Sequence, residues 1–298
     1  MATVTAPVPV VLVPKRASRG LWRDAFTRLR RNRPAILGMS FIALFVFVAV
    51  FAPLLAPFDP NKTGLGRTLQ PPSPQHLAGL DKLGRDELSR VIFGARISLF
   101  TGVVSVIIGL TLGGIIGALA GGIGGKVDTV LMRMVDVLLA IPGILLAIGI
   151  VAWLGQGLPQ IMLAVAVANT PVFARLLRGS LLSLREADYV TAARSLGASN
   201  LRVLFRHMLP NALSPLIVAA TLALATAIID VAGLGFLGLG PPDPRTPEWG
   251  TMLTDATELL RRAPNLVFAP GIAIVISAIG FNLLGDGLRE SLDPRLKR

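Results

Sequence analysis

Five stretches without one charged side chain, residues 35–58, 97–125, 137–174, 207–229 and 263–285, each exceed the roughly 20 residues a helix needs to cross a bilayer. A chain that is 53% hydrophobic and only 15% charged, with a mean hydropathy of +0.68, has lipid as its solvent. The 137–174 stretch is long enough for two helices hinged at Gly155-Gln156-Gly157-Leu158-Pro159, so six spans are expected. In hydrocarbon an unpaired backbone amide costs several kcal/mol, which selects helices. The apolar runs are continuous rather than alternating, which excludes a porin-type barrel. The expected fold class is an all-α polytopic membrane protein.

The formal net charge of +12 would suggest nucleic acid in a soluble protein, but its placement points elsewhere. Residues 1–34, 125–136, 175–206 and 286–298 hold 20 of the 29 Lys and Arg residues, while 59–96 and 243–262 hold 9. By the positive-inside rule the first group, including both termini, is cytoplasmic. The expected parts are a tail at 1–34, a first span at 35–58, an extracytoplasmic loop at 59–96 and a five-span core at 97–285 with an outer loop at 239–266. A cytoplasmic tail at 286–298 ends the chain. Residues 1–20 are expected to lack order, and 21–33 to lie on the inner membrane surface as an amphipathic helix. No apolar core precedes the long first span, so 1–34 does not read as a cleavable signal.

Several chemistries are excluded. There is no cysteine, and His76 and His207 fall on opposite sides of the membrane, so no metal site is expected. Gly125-Lys126 lacks the rest of a phosphate loop, and Gly233, Gly235 and Gly238 precede Pro241-Pro242 rather than a strand-turn-helix unit. A membrane-embedded hydrolase would need a nucleophile and base in one plane, and neither that pairing nor H-E-x-x-H occurs. No catalytic residue is expected.

Within the spans, glycine recurs every fourth residue at 109, 113, 117, 121 and 125, which leaves one helix face bare for close packing. Asn169, Asp230 and Asn282 are polar residues inside or at the rim of apolar runs and are candidates for lining a translocation pathway. Asp230 lies roughly 27 Å along the fifth span at 1.5 Å per residue, near the outer face.

The most informative segment is Tyr189 to Pro210, a polar island of small residues between apolar runs. Its pattern reads as helix, Gly197 turn, helix, with Leu201, Leu204, Phe205 and Met208 forming one apolar stripe and Pro210 marking the end. Ala192, Ala193, Gly197, Leu209 and Pro210 resemble the docking signature of the permease subunits of bacterial ABC importers. Thr191 stands where that family has Glu, and His207 where it has Ile.

The resemblance extends over nearly the whole chain from about residue 28. His76, Gly79, Asp81, Gly84-Arg85-Asp86, Ser89-Arg90 and Gly94 to Ser98 are similar to the segment after the first span in the C-type permease of peptide importers. So are Phe236 to Gly240, Pro247-Glu248-Trp249-Gly250 and Phe281 to Arg289. Ile229-Asp230 before Gly233-Leu234-Gly235-Phe236 resembles the dipeptide branch of the oligopeptide, dipeptide and nickel permease family.

That resemblance implies a six-span type I importer fold, like that of the methionine importer permease, with a cytoplasmic helix-turn-helix coupling loop at 186–210. It implies that Tyr189, Thr191, Ala192, Ala193, Arg194, Gly197, Ala198, Leu201, Phe205, Leu209 and Pro210 meet an ATPase, and that Arg85, Asp86, Glu248 and Trp249 meet a binding protein. It implies partnership with a homologous B-type permease in a heterodimer, two cytoplasmic ATPases that hold ATP and Mg, and an extracytoplasmic binding protein. This chain itself would carry no cofactor. Haem, glutathione or nickel are alternative cargoes of the same scaffold. A passive channel is a further alternative, but it would not need a docking loop of small residues.

Overall fold

The computed structural model describes residues 26–292. The expectations for residues 1–20, for the first five residues of the interfacial helix and for the end of the C-terminal tail lie outside the described residues. Among the described residues five helices are long and apolar enough to cross a membrane, six if one pair bent by 90° counts as a single span. Among the described residues no strand forms; Leu80 and Asp86 make one isolated bridge.

Helix α1 (Arg33–Val50) starts at Asn32, whose side chain accepts from the Ala35 N–H, with Pro34 in the first turn where its missing N–H is harmless. A short α2 (Ala52–Leu55) follows. Helix α3 (Glu87–Ile123) has 37 residues, about 55 Å, well beyond the roughly 30 Å of hydrocarbon. It begins ten residues before the expected span because Asp86 caps it, accepting from Ser89 N at 2.8 Å. Residues 87–96 are therefore helix, not loop.

The expected third span is broken. Helices α4 (Gly125–Leu139) and α5 (Gly143–Leu154) meet at 90°, since Pro142 cannot continue a helix and restricts the residue before it. With 12 residues, α5 is about 18 Å long. The hinge that follows matches expectation: Gly155 at φ 93° and Gly157 at φ 145° turn the chain into α6 (Leu158–Arg185).

The glycine stripe is a helix-packing device. Helices α3 and α6 run parallel, with Gly109, Gly113 and Gly117 against Ala166, Thr170 and Ala174 in turn. A Cβ on Gly113 would stand 2.5 Å from the Thr170 carbonyl oxygen and one on Gly117 2.6 Å from that of Ala174, so only glycine permits this approach. Gly125 is not in the stripe; it opens α4 at φ 60°.

After α7 (Asp188–Ser195) the chain forms a single 40-residue helix, α8 (Asn200–Leu239). Pro210 does not end it. A wide, π-type turn over Val203–Met208 immediately precedes Leu209 and Pro210, where a residue without an N–H and with a bulky ring is tolerated. A second wide turn spans Gly235–Leu239. Helices α9 (Trp249–Thr257) and α10 (Asn265–Leu292) complete the chain. Gly38 of α1 meets Gly280 of α10, Gly285 meets Leu222 of α8, and Gly287 meets Ala35.

Two ends result. The loop end carries α7 and the start of α8, and the cap end carries residues 56–86 and 240–264. One core runs from Val151 and Phe173 through Leu181 to Val190, Val203 and Met208, so it joins the spanning helices to the loop end without a break. A second, around Trp249, Ile228, Ile274 and Phe281, joins α1, α3, α8, α9 and α10 at the cap end.

Candidate functional site

At the loop end, Val190 is fully buried and anchors α7, while Asp188 sits in its first turn, where the helix dipole favours an acid. The α7 terminus is closed by two hydrogen bonds, Ala198 N to Ala193 O at 3.0 Å and Gly197 N to Arg194 O at 2.9 Å. That closure needs a left-handed residue, and Gly197 has φ 83°. A Cβ on Gly197 would meet nothing in this chain within 4 Å, so the backbone angle alone demands glycine within the fold. Beyond the turn, Leu204 seats on Gly122 at the end of α3, and Arg185 donates to the Gly121 carbonyl there at 2.9 Å.

The expected stripe on the second helix is split. Val203 and Met208 are buried and Leu204 is half-buried, whereas Leu201 is 69% and Phe205 61% exposed. A helix that shows these two outward while its neighbours hold the core presents knobs, not a core face. Leu196, 88% exposed, and Tyr189 are also exposed, as are Thr191, Ala192, Arg194 and Pro210. Ala193, Ala198 and Leu209 are half-buried. The result is an exposed apolar surface on a rigid mount, which polar loops of monomeric proteins rarely show.

At the cap end the four docking candidates are not surface residues. Arg85, Asp86, Glu248 and Trp249 are all buried, so in this conformation their side chains are out of reach of another protein. Each has an internal task. Arg85 Nε donates to Asp81 Oδ2 at 2.6 Å, and its Nη1 to the Pro244 carbonyl at 2.8 Å. Asp86 Oδ2 accepts from Ser89 N and Oγ, and its Oδ1 lies 2.9 Å from His76 Nδ1. Glu248 caps α9, accepting from Gly250 N and Thr251 N at 2.9 Å each and from Ser98 Oγ at 3.2 Å. Burial raises the Glu248 carboxyl above the ordinary range, and those three hydrogen bonds pull it back.

Trp249 is not an interface anchor. Its Nε1 donates to Val91 O at 3.0 Å, its ring is edge-on to Phe45 at 5.7 Å, and it fills the space left by Gly94, where a Cβ would stand 2.6 Å from the indole Cδ1. The motif reads as a lock between α1, α3 and α9.

The pathway candidates lie on three different helices, and no hydrogen bond joins any two of them. Asn169 is half-buried and donates to Val165 O on its own helix at 2.9 Å; Asn282 is exposed. Asp230 is half-buried and has no hydrogen-bond or ion-pair partner among the described residues. Sequence reasoning missed two ion pairs between α4 and α6. Asp128 receives Arg178 at two points, Nη2 to Oδ2 at 2.7 Å and Nε to Oδ1, and Asp136 receives Arg175 Nη2 at 2.6 Å. Nothing local signals these pairs, because the partners are 50 and 39 residues apart.

The profile of binding-protein-dependent transport system inner membrane components matches residues 113–298, and that of the N-terminal transmembrane domain of oligopeptide transport permease C matches residues 20–72. The chain belongs to the binding-protein-dependent transport system inner membrane component family. It is 47% identical over 281 residues to the di/tripeptide transport system permease protein DppC of Pseudomonas aeruginosa, covering 92% of each chain. It is 45% identical to the dipeptide transport system permease protein DppC of Alkalihalophilus pseudofirmus, covering 93% of this chain and 90% of that one. It is also 45% identical to the glutathione transport system permease protein GsiD of Escherichia coli, covering 93% and 91%. The fold is similar to a chain in the inward-facing MetNI methionine ABC transporter, with a TM-score of 0.58 at 22% identity, covering 68% of this chain and 96% of that one.

Proposed function

We propose that this chain is a permease subunit of an ATP-driven importer of small peptides, forming half of a translocation pathway and carrying no catalytic group of its own. The observation that carries this reading is the loop-end platform: exposed Leu196, Leu201 and Phe205 stand on a core shared with the spanning helices through Val190, Val203 and Met208. A push on such a platform moves packed helices as rigid bodies rather than deforming a loop. One of two ATPases, which bind ATP and Mg, would dock there, and a homologous permease would complete the pathway and carry the other. The loop end and both termini would face the cytoplasm, following the excess of Lys and Arg, and the cap end would receive a binding protein. The relatives named for dipeptides, di/tripeptides and glutathione support a small peptide cargo. Asp230, unpartnered near the cap end of α8, would face the hydrated outer mouth of that pathway, since a carboxyl turned to acyl chains is costly.

The test is the full complex in proteoliposomes with its binding protein. A Gly197→Leu subunit should assemble yet lose uptake together with binding-protein-stimulated ATP hydrolysis. Normal stimulated hydrolysis in that complex overturns the coupling assignment.

A further inference from the structure

The two ion pairs between α4 and α6 are built differently. Arg178 grips Asp128 at two points, and both side chains are largely shielded, which makes a clamp. One turn away, Arg175 touches Asp136 through Nη2 alone, with side chains 56% and 48% exposed. Its Nε and Nη1 have no partner among the described residues. Because the clamp already holds α4 to α6, the second pair is not needed to fix that contact.

Arg175 stands at the rim of an open cleft of about 520 Å³ between α6 and the start of α8, with Gly179, Ser180, Ser183, Asn211 and Pro215 among its lining. That volume falls within the range of small-molecule sites, roughly 300–1,000 Å³. Within a lining that includes Leu176, Leu184, Ala212 and Pro215, a few polar groups stand free. Helical Thr101, Ser105, Thr111 and Thr170 each return their hydroxyl to the carbonyl four residues before. Ser180 and Ser183 do not, and neither hydroxyl has a partner among the described residues. Gly179 leaves its side of the cleft bare, with nothing within 4 Å of where a Cβ would be.

We infer that this cleft is a carboxylate-binding site on the inner half of the pathway, in which the guanidinium edge of Arg175 that Asp136 leaves open, the second Nη2–H with the N–H beside it, receives the C-terminal carboxylate of a transported peptide. The inference rests on the permease reading above and specifies the substrate group that reading leaves open. A planar guanidinium has two edges that match a carboxylate, Nε–Nη2 and Nη1–Nη2, and a single acceptor on one Nη2 hydrogen leaves the other edge open. Asp136 is the internal competitor that holds Arg175 over the cleft, and the two hydroxyls are secondary donors.

The chain has no cysteine, so a Ser183→Cys variant gives it one reporter thiol in the cleft. In the nucleotide-free full complex in nanodiscs, alanyl-alanine should slow modification of that thiol several-fold, and alanyl-alanine amide should not. Adding Arg175→Gln should abolish the protection, scored as the ratio of the rates with and without dipeptide in the same variant. Adding Asp136→Asn should lower the dipeptide concentration that gives half-protection. The proposal is overturned if the amide protects equally, if dipeptide gives no protection, or if Arg175→Gln leaves protection intact. It is also overturned if Asp136→Asn abolishes protection as Arg175→Gln does, which would make the pair structural only. Protection that follows the anionic lipid content of the nanodisc and ignores dipeptide would assign the cleft to a headgroup and equally sink it. Binding-protein-stimulated ATP hydrolysis, measured on the same variants, reports the coupling reading separately.

Discussion

The loop end and the cap end both carry short motifs of Gly, Ala, Arg and acidic residues around one or two large apolar side chains, and they spend them in opposite directions. At the cap end Glu248 and Trp249 are fully buried, every side-chain hydrogen-bonding group of the pair has a partner, and glycines 94, 235 and 250 let side chains and backbone close on them. At the loop end Gly197 faces open space, and Leu196, Leu201 and Phe205 stand out from a buried base. Glycine thus answers to close approach at the cap end and to a left-handed backbone angle at the loop end. The difference is visible only in what surrounds each glycine.

The sharpest way to break this comparison is at Trp249. Its replacement by Ala empties a closed site and should cost about 3–5 kcal/mol, read as a lower unfolding temperature of the detergent-solubilised subunit. A Trp249→Ala subunit of normal stability with weakened binding-protein affinity would turn the cap motif back into a docking surface. Phe205→Ala should do the reverse. Subunit stability should hold while association with the ATPases weakens by about 2 kcal/mol, or roughly thirtyfold in Kd, measured by titrating ATPase onto the permease pair. Equal losses of stability at Phe205 and Trp249 would erase the distinction between the two ends.

Glu248→Gln sharpens the cap side. The amide keeps an acceptor for one backbone N–H but presents a donor to the other, so a loss of about 1–3 kcal/mol is expected in the same unfolding measurement. No change would mean that the cap on α9 is dispensable. The smallest effect is expected for Arg194→Ala, an exposed side chain with no partner among the described residues, whose stability should stay within about 0.5 kcal/mol of wild type. A large loss of unfolding temperature there would show that the platform is held together by its rim rather than by Val190 and its core.

Membrane residence, helical class and most spans follow from the sequence because each uncharged run meets a requirement of the bilayer locally, without reference to any other part of the chain. The Gly155 to Pro159 hinge and the Gly197 turn were legible for the same reason, since φ values of 93°, 145° and 83° are local demands. The glycine stripe announced a close helix contact, but its partner, the Ala166 to Ala174 face of α6, is set by packing. What the sequence could not decide was direction: whether a polar motif turns inward or outward, and whether Pro210 and Pro142 end a helix, pass through it or bend it. Pro210 passes because a wide turn lies beside it, and Pro142 bends because α4 is drawn aside by Asp128 and Asp136 to arginines 50 and 39 residues away. Burial and long-range pairing are properties of the assembled chain, and they alone separate the motifs that close inside this protein from those it leaves exposed.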